Sequence, residues 1–149
     1  MIYKIAIGGC RNFNNYNVFK EFVNECISSF KGEIIIISGK CRGVDCMAER
    51  YAAEKSLGLE LFPAEWKKYG RSAGPIRNKV MVQRADIVIA FWDGKSKGTK
   101  SLINNAKVMG KVLYIKNITQ VLEFLQHSLQ QVPESQVLHI HMENPSKHT

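Results

Sequence analysis

The 149-residue sequence has no apolar run near the roughly 20 residues that a membrane-spanning helix needs, which excludes an integral helical membrane protein. It is sparing with cysteine as well: four residues, Cys10, Cys26, Cys41 and Cys46, in a chain long enough to bury a core without covalent staples. Reduced packing residues are therefore expected. Cys41 and Cys46 are separated by four residues, with no second pair and no histidine beside them, so they do not form a zinc signature. His139 and His141 are too few for a metal site, and neither a metal nor a cofactor is expected. Two phosphate-binding signatures are missing too. No GxGxxG follows a strand, and no glycine-rich loop ends in the Lys-Ser/Thr of a nucleoside triphosphatase.

What is present is basic. The formal charge is +8, and the segment 131–149 holds only Glu134, Glu143 and Lys147, so the excess belongs to the first 130 residues. A basic surface gathers phosphates by long-range attraction, which directs attention to anionic partners. The opening MIYKIAIGG reads as a strand and not as a signal peptide, and a cytoplasmic protein is expected. Residues 1–130 are read as one domain. Residues 131–149 are read as a polar tail, because Pro133 and Pro145 interrupt a stretch with no sustained period.

Five short apolar runs, 2–8, 34–38, 59–62, 87–92 and 112–115, predict strands. Runs such as IIII and IVIAFW are continuously apolar, as strands buried on both faces of a parallel sheet must be. Between them, apolar residues recur at helical spacing. Phe19, Phe22, Val23, Cys26, Ile27 and Phe30 line one face, Val44, Met47, Ala48, Tyr51 and Ala52 a second, and Ile118, Val121, Leu122, Leu125 and Leu129 a third. Weaker helices fit 75–84, with Pro75 in the first turn, and 99–109, closed by Gly110. Alternating strands and helices predict a Rossmann-like α/β three-layer sandwich with right-handed crossovers. Ligands of such sheets lie beyond the carboxyl ends of the strands.

The loops at that edge concentrate glycine, basic and hydroxyl residues. They are GGCRNF with Gly8, Gly9 and Arg11; SGKCRGVD with Ser38, Gly39, Arg42, Gly43 and Asp45; a long third loop with Trp66, Arg77 and Asn78; and DGKSKGT with Asp93, Gly94, Ser96, Gly98 and Thr99. Glycine lets backbone amides approach an anion, and a helix amino terminus behind it adds unpaired N–H groups. Two roles suit Asp45: stabilising the first turn of its helix through the dipole, or accepting from a ribose. Two also suit Arg77, a fork onto phosphate or a pair with Asp86 or Asp93. Trp66 is the freer aromatic for stacking on a base, whereas Trp92 ends a buried strand and reads as core.

Taken together, SGKCRGVDCMAERYA, LFPAEWKKYGRSAGPIRNKVM and ADIVIAFWDGKSKGTKSLINNAKVMGK resemble the SLOG superfamily, in its YspA-like branch of small bacterial and phage proteins, across 34–111. The resemblance implies a Rossmann-like fold with strand order 3-2-1-4-5 and a nucleotide or nucleotide-derived ligand of ADP-ribose type, bound by a sensor or sequestering protein. Two better understood relatives imply alternatives. The cytokinin-activating LOG enzymes are phosphoribohydrolases, and Arg77, Gly98 and Thr99 match parts of their motifs. Their glutamate position falls on Leu102, which carries no charge or exchangeable proton, so a hydrolase of N-glycosidic bonds needs Asp93, Asp45 or Glu49 in its place. DprA-like proteins bind single-stranded DNA, which makes single-stranded nucleic acid a second expected partner class. A homo-oligomer is the remaining partner expectation.

Overall fold

The computed structural model describes residues 1–40 and 42–119. Five strands form one all-parallel sheet: β1 (Ile2–Gly9), β2 (Glu33–Ser38), β3 (Gly58–Leu61), β4 (Ile87–Trp92) and β5 (Val112–Asn117), in the spatial order β3-β2-β1-β4-β5. The helices are α1 (Tyr16–Ile27), α2 (Val44–Glu54), α3 (Trp66–Tyr69), α4 (Ala73–Arg84) and α5 (Lys97–Val108), and a 3-10 turn covers Gly70–Ser72. This is the α/β Rossmann-like sandwich and the strand order that the sequence implied.

The central strands show why continuous apolar runs were required. In β1, Ile5 and Ile7 belong to one core and Ala6 to the other; in β4, Ile87, Ile89 and Phe91 face the first core and Val88 and Ala90 the second. Each strand thus buries both of its faces. The first core is closed by α1 and α2 and is rich in rings, with Phe19 stacked on Phe91 at 5.0 Å between centroids. Truncating a fully buried ring such as Phe19 is worth about 3–5 kcal/mol. The second core lies under α4 and α5 and uses small residues, Ala6, Ala85, Ala90 and Ala106, so those helices approach the sheet closely.

Register fixes where the strands stop. Gly9 of β1 pairs with Phe91 of β4, and Ser38 of β2 pairs with Leu61 of β3, so the loops after all four strands open on one edge. Local caps then start the helices: the Asn15 side chain accepts from the amide of Val18 at 3.1 Å to open α1, and Ser96 accepts from the amide of Thr99 at 3.5 Å to open α5.

Some boundaries differ from the expectation. β3 starts one residue earlier and ends at Leu61, and β5 runs on to Asn117, which pairs with Trp92. The helix expected from residue 75 begins at Ala73; Pro75 still sits in its first turn, where a missing N–H costs nothing. The stretch read as a loop before it holds α3 and the 3-10 turn, whose residues bury no side chain and so leave no periodic signal. Beyond residue 119, the expected helix of Val121, Leu122, Leu125 and Leu129 and the tail with His139 and His141 lie outside the described residues, as does Cys41. Among the described residues, no helix is long and apolar enough to cross a membrane.

Candidate functional site

Strand order reverses between β1 and β4: from β1 the chain proceeds to one side of the sheet, and from β4 to the other. At that point a cleft of about 340 Å³ opens beyond the strand ends. Gly8 and Gly9 form its floor. A Cβ on Gly9 would lie 2.5 Å from the carbonyl oxygen of Phe91, so β1 can end beside β4 only as glycine there, whereas one on Gly8 would lie 2.7 Å from Leu102 of α5 and have to push that side chain aside.

The second loop is locked onto the first. Gly43 adopts φ +70°, and a Cβ there would meet the carbonyl oxygens of Cys10 and Arg11 at 2.5 Å each, while the amide of Val44 donates to the Cys10 carbonyl at 3.4 Å. Ser38 is fully buried; its hydroxyl donates to the Asp45 carbonyl at 3.3 Å and accepts from the amide of Lys40 at 3.3 Å. Ser38 therefore shapes the turn from behind instead of lining the cleft. Asp45, 7% exposed in the first turn of α2, does line it.

α4 contributes the tie between loops. The Arg77 guanidinium donates through Nη1 to the Gly39 carbonyl at 2.6 Å and through Nε to Asn78 Oδ1 at 2.9 Å. Asn78, largely buried, donates in turn to the Gly98 carbonyl at 3.1 Å. Residues of the second, third and fourth loops are thus joined by one chain of hydrogen bonds. Gly39 matters to this chain, because a Cβ there would run into the Arg77 guanidinium.

The fourth loop is organised by Asp93. Its Oδ1 accepts from the amides of Lys95 and Ser96 at 2.8 Å each, an Asx-type turn that sets Gly94 at φ +82°. The Trp92 indole donates to the Ser96 carbonyl at 3.1 Å, and the Thr119 hydroxyl donates to the Asp93 carbonyl at 2.9 Å. Partial burial pushes the Asp93 carboxyl up, but the amides of Ser96 and Lys95 and the Cys10 thiol outweigh it and hold the group below the usual aspartate value. Burial, with the neighbouring Asp93 charge, pushes the Cys10 thiol up, so Cys10 stands in the cleft wall as a protonated thiol.

Of the residues singled out in the sequence, Gly8, Gly9, Arg11, Asp45, Arg77, Asn78, Asp93, Ser96, Gly98 and Thr99 come together around this cleft. Gly39 and Gly43 support it through close backbone approach. Arg42 and Gly94 sit on exposed loop positions, and Trp66 is 50% exposed, lying over Gly74 with Cη2 3.5 Å from where its Cβ would be. Trp66 is not among the residues lining the cleft. Cys10, Asn12 and Met81 line it without having been singled out; Cys10 and Asn12 lie inside GGCRNF, while Met81 has only an apolar helix spacing to mark it. Leu102 occupies the cleft wall, 3% exposed. Arg11 and Arg77 offer donors to an anion, the opening amides of α5 add a positive dipole end, and Asp45 and Asp93 are acceptors suited to hydroxyl donors. Among the described residues, no group of three or more His, Cys, Asp and Glu residues is placed to hold a metal ion.

Sheet order, switch-point cleft and glycine-bearing loops define a Rossmann-like α/β protein. Residues 3–69 match the family model described as the YspA, cpYpsA-related SLOG family. Over that segment the chain is similar to the SLOG superfamily. It is 34% identical over 83 residues to the Gene 61 protein of Mycobacterium phage D29, an alignment covering 52% of this chain and 66% of that protein. In fold it is similar to DNA processing protein A of Streptococcus pneumoniae (TM-score 0.59, 18% identity, 76% of this chain and 50% of that one). It is likewise similar to the DNA processing protein A of Helicobacter pylori, whose single-stranded DNA binding mode has been described (TM-score 0.54, 20% identity, 76% of this chain and 64% of that one). The chain thus spans under two thirds of each of these relatives' lengths.

Proposed function

We propose that the protein binds a nucleotide or a nucleotide-derived, ADP-ribose-like ligand in the switch-point cleft and acts in the cytoplasm as a sensor or sequestering protein. The observation that carries this reading is the meeting of Arg11, Arg77 and the amino terminus of α5 with two carboxylates, Asp45 and Asp93, in one cleft of about 340 Å³. Guanidinium forks and helix amides suit a phosphate; ionised carboxylates, which only accept, suit the donor groups of ribose hydroxyls. The volume lies in the range of small-molecule sites. Arg77 is held by the Gly39 carbonyl and Asn78 before any ligand arrives, so its contact costs little ordering.

Binding is favoured over hydrolysis by Leu102. It presents an apolar side chain from the cleft wall at the sequence position that matches the glutamate of the phosphoribohydrolases the chain resembles, and Asp93 spends one oxygen on two loop amides. A second reading, binding of single-stranded DNA, is supported by the fold likeness to the Helicobacter pylori protein and by the +8 charge. The test is to denature natively purified protein and identify released small molecules by mass spectrometry. A stoichiometric nucleotide, absent from an Arg77→Ala preparation, is the expected result; release of short oligonucleotides alone would favour the second reading.

A further inference from the structure

A second depression of about 330 Å³ adjoins the first along α4, and Arg77 borders both. Its chemistry is different. The walls come from the end of β3, with Leu61, Phe62 and Pro63, and from the α3–α4 segment, with Tyr69, Ile76 and Val80. Four of these are large apolar side chains left open: Leu61 38%, Tyr69 39%, Ile76 38% and Val80 37% exposed. Ile76 and Val80 stand one turn apart on α4, so they present a continuous strip beside Arg77. Scattered exposed apolar residues need no explanation, but a cluster forming a concave slot next to a polar cleft does.

Resting on the nucleotide reading above, we infer that this slot is the base subsite of the same ligand: a nucleobase enters between Tyr69 and the Ile76–Val80 strip while the sugar phosphate occupies the Gly8–Thr99 cleft. Continuity through Arg77 carries the assignment. A planar guanidinium gives donors at its edge and a face on which a ring stacks, so one residue serves both halves of a ligand that is polar at one end and aromatic at the other. Glu65 at the slot's lining supplies a carboxylate acceptor for base N–H groups, a feature a purely apolar partner has no use for. The slot accordingly makes the site selective for base-bearing nucleotides over bare sugar phosphates.

The experiment is calorimetric titration of the full chain with ribose 5-phosphate, AMP and GMP, repeated with Tyr69→Ala and Ile76→Ser, two exposed positions whose change leaves both cores intact. At least one nucleotide is expected to bind about ten-fold or more tighter than ribose 5-phosphate, and each substitution to lower that nucleotide's affinity roughly ten-fold while ribose 5-phosphate keeps its wild-type affinity. Equal affinity of wild-type protein for the sugar phosphate and both nucleotides overturns the base subsite and leaves the phosphate cleft standing. No binding of any of the three overturns the nucleotide reading and the subsite with it. Nucleotide affinities untouched by the substitutions, with a wild-type dimer dissociated by them in sedimentation, show the slot to be an interface between copies and also overturn the proposal.

Discussion

Replacing Arg77 with alanine separates what the residue does for the fold from what it does for a ligand. In the protein alone, the change removes the 2.6 Å bond to the Gly39 carbonyl and the 2.9 Å bond to Asn78, both in a partly exposed setting where water re-solvates the released acceptors. The net loss of stability is therefore about 1 kcal/mol, a fall in melting temperature of about 3 °C for a chain of this size. The effect on a bound phosphate is larger, because the ligand loses a charge-assisted fork inside a cleft: about 1.5–3 kcal/mol, roughly ten- to hundred-fold in Kd. Arg77→Lys keeps a positive charge but no planar fork, and falls between wild type and alanine. Thermal denaturation gives the first number, and calorimetry with a mononucleotide or ADP-ribose gives the second. A lower melting temperature with unchanged ligand affinity would refute the assignment of Arg77 to the ligand and leave it a brace between loops.

Gly43→Ala forces a side chain to φ +70° and 2.5 Å from two carbonyl oxygens, so the denaturant midpoint should fall by the equivalent of about 3 kcal/mol. Gly94→Ala, at φ +82° with nothing within 4 Å of the new Cβ, should cost only about 1 kcal/mol; equal losses at the two sites would contradict the packing account of Gly43. Asp93, whose folded-state carboxyl is held below the ordinary aspartate value of 3.8, contributes stability that is fully present above that value and lost as pH falls through the lower folded value. Asp93→Asn should flatten the acid limb of the stability profile, and an unchanged limb would show that other carboxylates set it. Wild-type protein should release no free base from nucleoside 5′-monophosphates. Rapid release, abolished by Asp93→Asn or Asp45→Asn, would show that another carboxylate replaces the glutamate missing at Leu102.

The sheet was legible because its sequence signal is doubly redundant: runs such as IIII and IVIAFW bury both faces, and each is followed by a glycine-bearing loop. Periodicity alone does not set strand order, which came from the family resemblance together with the crossover rules. The edge loops were legible as a group, since register alone puts their strands' ends together. Individual side chains were harder. Ser38, at the last position of β2, looked like a ligand contact but is turned into the protein, where its hydroxyl bonds the backbone of Asp45 and Lys40; a hydroxyl at a strand end serves a turn as readily as a ligand. Trp66 was chosen for its position in a polar stretch, yet α3 sets it over Gly74. Cys10 was weighed as packing, and it does pack, but the same burial puts its thiol against Asp93 in the cleft wall. The slot beside Arg77 left no local pattern, because its apolar residues come from β3, α3 and α4, each with too few to form a period.

Whether the anion site is a compact pocket or a groove is tested most directly by titrating the full chain with mononucleotides, ADP-ribose and single-stranded oligonucleotides of rising length, each at two salt concentrations. A compact pocket predicts saturable one-to-one binding of a small ligand with a shallow salt dependence, lost in Arg77→Ala, and no gain in affinity as oligonucleotides lengthen. Tight binding to single strands alone would contradict it, provided that affinity rises with length, falls steeply with salt through counterion release, and survives Arg77→Ala because it is spread over Lys40, Arg42, Lys68, Arg71 and Lys97.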